Sequence, residues 1–243
     1  GKEDCLYLNV YVSEKALKSN KKLPVMFWIH GGGNTWGYSA SNLFVSGDFV
    51  LDHEIVLVTT NYRLGPFGWF KQDGLNHNSN NELDKTANFG TLDLVKSLEW
   101  VRDYISFFNG DPKNITIFGE SAGGRNVISL MSAPQSKDLF ERGIAQSGYL
   151  GSDSLDFAIN DERAGSKSFL AAKLREKNNY TDEEINKKIL DREFVNRFLL
   201  DLTSEEIIKY YRVDEDAAGL IDVPNVLPDD IVIPNKGIYG VFR

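Results

Sequence analysis

Apolar residues along the chain fall into short unbroken runs and one longer periodic segment. The runs have the length of single strands and are rich in β-branched residues: Leu6–Tyr11, Pro24–Ile29, Ile55–Asn61 and Asn114–Phe118. Because they are apolar at successive positions, they predict strands that are covered on both faces. In the segment Asn88–Phe107, apolar residues recur every three or four positions, which predicts a helix. Strands joined by a helical crossover predict an α/β fold with a mostly parallel central sheet flanked by helices.

The remaining segments predict surface structure around this sheet. Gly74–Thr86 is polar and rich in Asn, which favours a surface loop. From Asp153 to Arg212 charged residues alternate with apolar positions at helical spacing, which predicts amphipathic helices that cover the sheet. Ile221–Arg243 returns to Pro, Gly and β-branched residues and predicts loop and strand. We therefore expect one α/β domain over residues 1–243, with a helical cover region at 153–212.

Composition and charge exclude some classes of partner. The 243 residues carry a formal net charge of −8, with Lys and Arg scattered along the chain. Binding to a phosphate backbone requires a basic surface, so we expect no nucleic-acid partner. The longest apolar runs are strand-sized, so we expect no membrane span. A small neutral molecule suits this composition, whereas no cofactor or metal is indicated and the oligomeric state stays open.

The first chemical motif follows the strand Asn114–Phe118. It has the form G-x-S-x-G, with Ser121 between Gly119 and Gly123, and an apolar helical segment comes next. The order of strand, motif and helix is that of a nucleophile elbow, a tight turn that projects a serine hydroxyl. By itself the motif is weak evidence, because a glycine-rich turn can produce it. Its helix start also points backbone N–H groups toward a developing oxyanion.

A second motif strengthens this interpretation. His30 and three consecutive glycines, Gly31 to Gly33, directly follow the strand Pro24–Ile29. Glycines after a strand leave backbone N–H groups accessible, which is how esterases and lipases complete an oxyanion hole. A flexible turn would explain the glycines alone, but it does not explain their combination with the elbow.

Several further blocks resemble the type-B carboxylesterase/cholinesterase family, and they occur in its order and spacing. The blocks are Glu3–Tyr11, Asn61–Gly68, Asn88–Val101, Gly110–Pro112 before the elbow, and Leu139–Gly148. The resemblance is strong over about the first 150 residues and weak beyond them, with a faint match at Asp229–Pro234. It implies an α/β-hydrolase fold, incomplete at both ends, and a carboxylic-ester hydrolase that acts on a small-molecule ester without a cofactor.

The resemblance also implies roles for individual residues. Ser121 would be the nucleophile, and the backbone N–H groups of Gly32, Gly33 and Ala122 would form the oxyanion hole.

Other implied features concern the surroundings of the catalytic triad and the chain ends. Glu120 and Ser147 would support the triad, whereas Asn109 departs from the family pattern beside the elbow strand. Cys5 matches one half of a family disulfide, with its partner upstream of Gly1, although a free thiol is the alternative. The family slightly favours a secreted or periplasmic location.

No histidine follows Ser121, because all three histidines precede it. α/β-hydrolases order their triad as serine, acid and then histidine. We therefore expect the acid and the histidine to lie beyond Arg243, and the chain to be a fragment that is inactive by itself. Two alternatives stay open: an adhesion protein with the same fold, or a hydrolase that cleaves a thioester, amide or carbamate.

The remaining polar and aromatic residues have simpler interpretations. His53 and His77 lie in turn-like or loop-like sequence and are expected to be solvated, and His30 is expected to be structural. One aromatic group could line an acyl or alcohol pocket, or could belong to the core: Trp36, Tyr38, Phe67 and Trp69.

Overall fold

A mixed β-sheet forms the centre of the computed structural model, which describes residues 2–19, 21–41, 47–211 and 221–243. Within those residues the sheet has five strands: β1 (Leu8–Tyr11), β2 (Leu23–Ile29), β3 (Val56–Thr60), β4 (Gly110–Glu120) and β5 (Arg142–Gln146). Their order across the sheet is β1-β3-β2-β4-β5. Strand β1 runs antiparallel to β3, and every other neighbouring pair is parallel. The predicted mostly parallel sheet is confirmed.

Helices connect and flank these strands. In chain order they are α1 (Glu14–Leu17), α2 (Gly47–His53), α3 (Phe89–Tyr104), α4 (Ala122–Ser132), α5 (Leu155–Asn160), α6 (Ser166–Asn178), α7 (Asp182–Ile189), α8 (Arg192–Leu200), α9 (Ser204–Tyr211) and α10 (Gly237–Val241). Short 3₁₀ turns lie at Gly65–Phe67, Glu82–Lys85, Ile105–Phe108 and Pro134–Ser136. The predicted helix Asn88–Phe107 corresponds to α3 and the 3₁₀ turn that follows it.

The two faces of the sheet bury separate apolar clusters. On one face, residues of β2, β3 and β4 pack against α3 and α4, and the buried centre includes Phe27, Leu98 and Ile117. On the other face, Trp28 and Phe118 pack against Val50 of α2. All five residues of β3 are buried, which confirms the prediction that this strand is covered on both sides. Each fully buried large side chain contributes about 1.5–3 kcal/mol, so these clusters stabilise the sheet that carries the site.

A third apolar cluster lies among the helices after β5. It joins α6, α7, α8 and α9 through Leu170, Leu174, Ile185 and Val195. Helices α5 to α9 fall in the interval 153–212 for which we expected a helical cover, and Arg212 lies outside the described residues. The division into one domain with a cover region stays a prediction. None of the helices in the described part of the chain has the length and apolar character needed to cross a bilayer.

The tail differs from its prediction, because the described residues 221–243 contain no strand. The β-branched residues Ile231, Val232 and Ile233 donate their backbone N–H groups to one carboxylate oxygen of Asp229, at 3.0–3.2 Å. The other oxygen of Asp229 accepts the N–H of Ala87 at 2.8 Å. Hydrogen bonds to the Asp229 side chain thus take the place of pairing with a neighbouring strand. The side chains of Val232 and Ile233 are still buried in the apolar cluster that packs against α3 and α4.

A pair of leucine substitutions tests the assignment of the core. Leu98 on α3 has 0% of its surface exposed, whereas Leu190 has 82% exposed. We expect Leu98→Ala to lower the free energy of unfolding by about 2–5 kcal/mol, because it leaves a cavity against the sheet. Leu190→Ala should change it by no more than about 0.5 kcal/mol. Urea denaturation of both variants measures the difference, and equal losses would contradict the assignment.

Candidate active site

Ser121 occupies the junction between β4 and α4. Its φ of 55° and ψ of −118° lie outside the regions that a non-glycine residue ordinarily adopts, and its side chain is exposed. The backbone is fixed on both sides: the Ser121 N–H donates to the carbonyl of Gln146 at 2.9 Å, and the Ser121 carbonyl accepts the N–H of Arg125 at 3.0 Å. Such a conformation costs about 1–3 kcal/mol and persists only where its surroundings enforce it.

A glycine after the serine allows α4 to approach the sheet closely. A Cβ on Gly123 would collide with the carbonyl oxygen of Ile29 at the end of β2, and would lie 2.9 Å from the carbonyl oxygen of His30. No side chain fits in that space. The turn is therefore tight because the helix backbone rests directly on the backbone of the neighbouring strand.

The glycine loop after β2 lies against this turn. A Cβ placed on Gly31 would be only 3.4 Å from the Cβ of Ser121. Gly32 has a φ of 100°, which favours glycine, and Gly33 has a φ of 62°. The N–H groups of Thr35 and Trp36 donate to the carbonyl of Gly32 at 3.0 and 3.1 Å, which closes the loop. The loop and the elbow, 90 residues apart in the sequence, are thus adjacent in the fold.

The backbone donors predicted from the sequence belong to the glycine loop and to the elbow, the two segments that are adjacent here. Ala122 is the first residue of α4, where backbone N–H groups have no partner within the helix and the helix dipole is positive. Among the described residues, none accepts a hydrogen bond from the N–H of Gly32 or Gly33. An anionic oxygen near Ser121 is the chemical group that such donors stabilise.

His30 is buried beside the glycine loop, and its contacts are those of a structural residue. Its Nδ1 lies 2.8 Å from the Gly31 carbonyl oxygen, and its ring stacks on Tyr62 with 4.4 Å between ring centroids. Burial lowers the pKa of His30, against the smaller raising effect of its hydrogen bond to Gly31. The Tyr62 hydroxyl donates to the His30 carbonyl at 2.7 Å. In the described residues no hydrogen bond joins the Ser121 hydroxyl to a histidine.

Comparisons with known proteins identify the family of this chain. The sequence profile of the Carboxylesterase family matches residues 1–236. The chain belongs to the carboxylesterase family. Para-nitrobenzyl esterase of Bacillus subtilis (strain 168) is 44% identical over 146 residues, which are 60% of this chain and 28% of that protein. Carboxylesterase 1D of Rattus norvegicus is 44% identical over 154 residues, 63% of this chain and 25% of that protein.

Solved carboxylesterase structures share the fold. A PNB esterase aligns with a TM-score of 0.72 and 31% identity over 96% of this chain and 44% of its own. Juvenile hormone esterase from Manduca sexta, with OTFP covalently attached, aligns with a TM-score of 0.69 and 27% identity over 92% of this chain and 38% of its own. The α/β-hydrolase fold and the type-B family are confirmed. The chain spans about a quarter of the length of these curated relatives.

Of the other residues singled out by the carboxylesterase resemblance, Glu120 and Ser147 lie close to the elbow, whereas Asn109 precedes β4 at its opposite end. Glu120 ends β4, and its Oε2 would be 3.3 Å from a Cβ on Gly31. Ser147 follows β5 directly, is exposed and has a φ of 52°. Asn109 adopts a left-handed conformation, and its side chain donates to the carbonyls of Ala16 and Ser19 at 2.6 and 2.9 Å. This departure from the family pattern is thus accommodated by local hydrogen bonds.

Cys5 is a half-buried free thiol in this structure. Burial raises the pKa of Cys5, which keeps the thiol protonated. Its pairing in a family disulfide stays a prediction.

The two histidine predictions have different outcomes, because His53 is exposed as expected whereas His77 is not. His53 is the last residue of α2 rather than part of a turn, and its ring packs edge-on against Phe49 with 4.9 Å between centroids. His77 does lie in a loop, but it is half-buried rather than solvated, because its Nδ1 is 3.0 Å from the carbonyl oxygen of Gly74. Packing inside the loop, which a sequence pattern does not reveal, orders this side chain.

The four aromatic residues that the sequence singled out as pocket or core candidates differ in burial. Trp69 is fully buried and contacts Tyr62 edge-on, and Phe67 is half-buried in a 3₁₀ turn. Trp36 and Tyr38 are exposed. The indole of Trp36 lies beside the glycine loop, with Cδ2 3.3 Å from where a Cβ on Gly32 would be. Only Trp36 and Tyr38 therefore stay candidates for a substrate pocket.

A cluster of polar side chains that includes Asn34, the residue after the three glycines, was not predicted from the sequence. Its members are buried or half-buried and connected by hydrogen bonds: Asn34, Arg125, Asn126, Asp153 and Asn225. One signal in the sequence was available, since asparagine directly after three glycines favours a left-handed backbone. Its partners lie 92 and 191 residues away, so no local pattern indicates them.

A pair of glycine substitutions tests the close contact under the elbow. Gly123→Ala should lower the free energy of unfolding by about 1–3 kcal/mol or more, because the new methyl collides with backbone that cannot move independently. Gly143→Ala on β5 is the matched control, since its methyl would meet the side chains of Val127 and Met131 at 3.1 and 3.2 Å. Because these neighbours are side chains rather than backbone, its loss should be clearly smaller than that of Gly123→Ala. Thermal or urea unfolding of both variants measures these losses. Equal stability of the two variants would contradict the close contact between Gly123 and the end of β2.

Proposed function

We propose that the protein containing this chain is a serine carboxylic-ester hydrolase with Ser121 as its nucleophile. The observation that carries the proposal is that Ser121 is exposed on a strained turn at the start of α4, against the glycine loop. A serine is held in such a conformation at a cost in stability, which is typical of a functional site. Membership of the carboxylesterase family supports the same reaction.

The proposed reaction has two stages. The Ser121 oxygen attacks the acyl carbonyl of the ester, and the N–H groups of Gly32, Gly33 and Ala122 stabilise the tetrahedral oxyanion. Collapse of this intermediate releases the alcohol and leaves an acyl group on Ser121. Water then attacks the acyl-enzyme through a second oxyanion, which releases the acid and regenerates the serine.

The general base of this reaction is proposed to come from outside residues 1–243. The His30 ring is buried, stacked on Tyr62 and engaged with the Gly31 carbonyl, which leaves it badly placed to accept the Ser121 proton. His53 packs on Phe49, and His77 contacts Gly74 and Glu193. The relatives are much longer than the chain, which is consistent with a histidine and an acid contributed elsewhere.

The substrate is proposed to be a small ester bound beside the glycine loop. Trp36 offers apolar surface at that position, Tyr38 is exposed two residues further along the chain, and aromatic side chains are common in ligand pockets. Glu120 and Ser147 are proposed to support the triad from the ends of β4 and β5. The name of the para-nitrobenzyl esterase relative suggests that nitrobenzyl esters be assayed beside short-chain p-nitrophenyl esters.

Replacing the nucleophile tests the proposal. In the gene product that contains this sequence, expressed as encoded, Ser121→Ala should lower kcat for p-nitrophenyl acetate by at least about 10³-fold, because no acyl-enzyme can form. Ser129→Ala is the control on the same helix, since its buried hydroxyl only donates to the carbonyl of Arg125 at 2.9 Å. It should leave kcat within about threefold of the parent protein.

Initial-rate kinetics with both variants separate the possible outcomes. Retained turnover in Ser121→Ala would overturn the assignment of the nucleophile. A well-folded parent protein without any hydrolytic activity would instead favour a binding function on the same fold.

The proposed position of the base gives a separate prediction. The 243-residue chain expressed by itself should show little or no ester turnover, because only the oxyanion donors and substrate binding would remain to accelerate the reaction. The control is the whole gene product, assayed at equal concentration with the same esters. Robust turnover by the chain alone, lost in Ser121→Ala, would show that a base lies within residues 1–243 and would make His30 the first candidate.

A further inference from the structure

The Gly32–Gly33 loop leads into a buried amide. Asn34 has only 1% of its surface exposed and continues the left-handed backbone of the loop, with a φ of 59°. Its own carbonyl accepts the N–H of Gly65 at 2.7 Å. Gly32, Gly33 and Asn34 therefore have positive φ values in succession. Because glycine is free to leave such a conformation, the loop needs contacts from its surroundings to stay in it.

The Asn34 side chain joins the loop to the helix that begins at the nucleophile. The Nδ2 of Asn126 donates to the Oδ1 of Asn34 at 2.8 Å, and the Nδ2 of Asn34 lies 3.4 Å from the Oδ1 of Asn126. Asn126 is fully buried on α4, four residues after Ala122. This amide pair thus connects the loop with the helix whose first N–H is the third proposed donor.

A third amide fixes the outer side of the loop. The Nδ2 of Asn34 donates to the Oδ1 of Asn225 at 2.7 Å, and the Nδ2 of Asn225 lies 3.4 Å from the carbonyl oxygen of Gly33. Asn225 is held in turn by Asp153, whose Oδ2 accepts its N–H at 2.7 Å, and by Arg125, which donates to its carbonyl at 2.9 Å. Asn225 therefore connects this polar cluster directly to Gly33 of the glycine loop.

Arg125 anchors the cluster to α4. Its side chain is mostly buried, its Nε donates to the carbonyl of Gly151 at 3.1 Å, and its guanidinium lies over the ring of Tyr149 at 5.2 Å. Burial lowers the pKa of Arg125, while the charge of Asp153 opposes that shift. Buried polar groups that satisfy one another in this way rigidify their surroundings, and removing one leaves the others without partners.

We propose that Asn34 and Asn126 are positioning residues that hold the Gly32–Gly33 loop at a fixed distance from the start of α4, so that all three oxyanion donors point to one place. This inference rests on the proposed function. Neither asparagine is proposed to contact the substrate. Donors must lie 2.7–3.1 Å from the oxyanion, and loss of one donor costs about 10²–10³-fold in kcat, so a loosened loop should cost part of that factor.

The test uses Asn34→Gly and Asn126→Ala in the gene product as encoded. Glycine at position 34 removes the amide and keeps the positive φ, so backbone strain does not confuse the result. Asn88→Ala is the control, because Asn88 is equally buried and exchanges two hydrogen bonds with the backbone of Leu227, at 2.7 and 2.8 Å. All three variants lose the hydrogen bonds of a buried side-chain amide, and only Asn34→Gly and Asn126→Ala break the Asn34–Asn126 pair.

The expected kinetic result is a fall in kcat of about 10–100-fold in Asn34→Gly and Asn126→Ala, with KM within about threefold. The double variant should lose little more than the worse single variant, because the two residues act as one unit. Asn88→Ala should keep kcat within about threefold even where it lowers Tm as much. Additive losses, or an equal loss of kcat in Asn88→Ala, would overturn the proposal.

Amide hydrogen exchange provides a readout that does not depend on catalysis. The N–H groups of Thr35 and Trp36 are protected by the Gly32 carbonyl, so exchange in the peptide that contains them reports on loop order. It should accelerate at least about tenfold in Asn34→Gly and Asn126→Ala and stay unchanged in Asn88→Ala. Unchanged exchange in the first two variants would overturn the proposal, whatever the parent protein hydrolyses. An inactive parent protein with accelerated exchange would contradict only the proposed function.

Discussion

The candidate site depends on one close contact, the approach of the first turn of α4 to the end of β2. Because β2 and β4 are parallel neighbours, with Ile29 opposite Gly119, the loops that follow them emerge at the same edge of the sheet. Gly123 then brings the backbone of α4 onto the carbonyl of Ile29. That contact forces the strained turn at Ser121 and sets the glycine loop beside it.

Much of this arrangement was predictable from the sequence, because it is encoded locally. Apolar runs indicated the four strands before the elbow, since a buried parallel strand needs little more than length and β-branched residues. Where the structure differs, a local interaction competes with the pattern. The run Ile231–Ile233 is as apolar as a strand, but Asp229 accepts its backbone N–H groups and its side chains enter the core without a ladder.

The elbow is encoded by a short local motif, whereas the residues that support the elbow come from distant parts of the chain. The elbow needs two glycines and a serine within five residues, so a motif reveals it. Its support comes from amides far apart along the chain, such as Asn34, Asn126 and Asn225, and each is an ordinary polar residue in its own segment. Burial and mutual satisfaction give these residues their significance, and both are properties of the folded chain.

The proposed function requires that the strained serine at the start of α4 attack the ester. Labelling the gene product with a fluorophosphonate, followed by digestion and tandem mass spectrometry, locates the residue that reacts. We expect stoichiometric modification of Ser121, in the peptide that contains Gly119 to Gly124, together with loss of esterase activity. Activity lost through modification of a different residue, with Ser121 unlabelled, would contradict it.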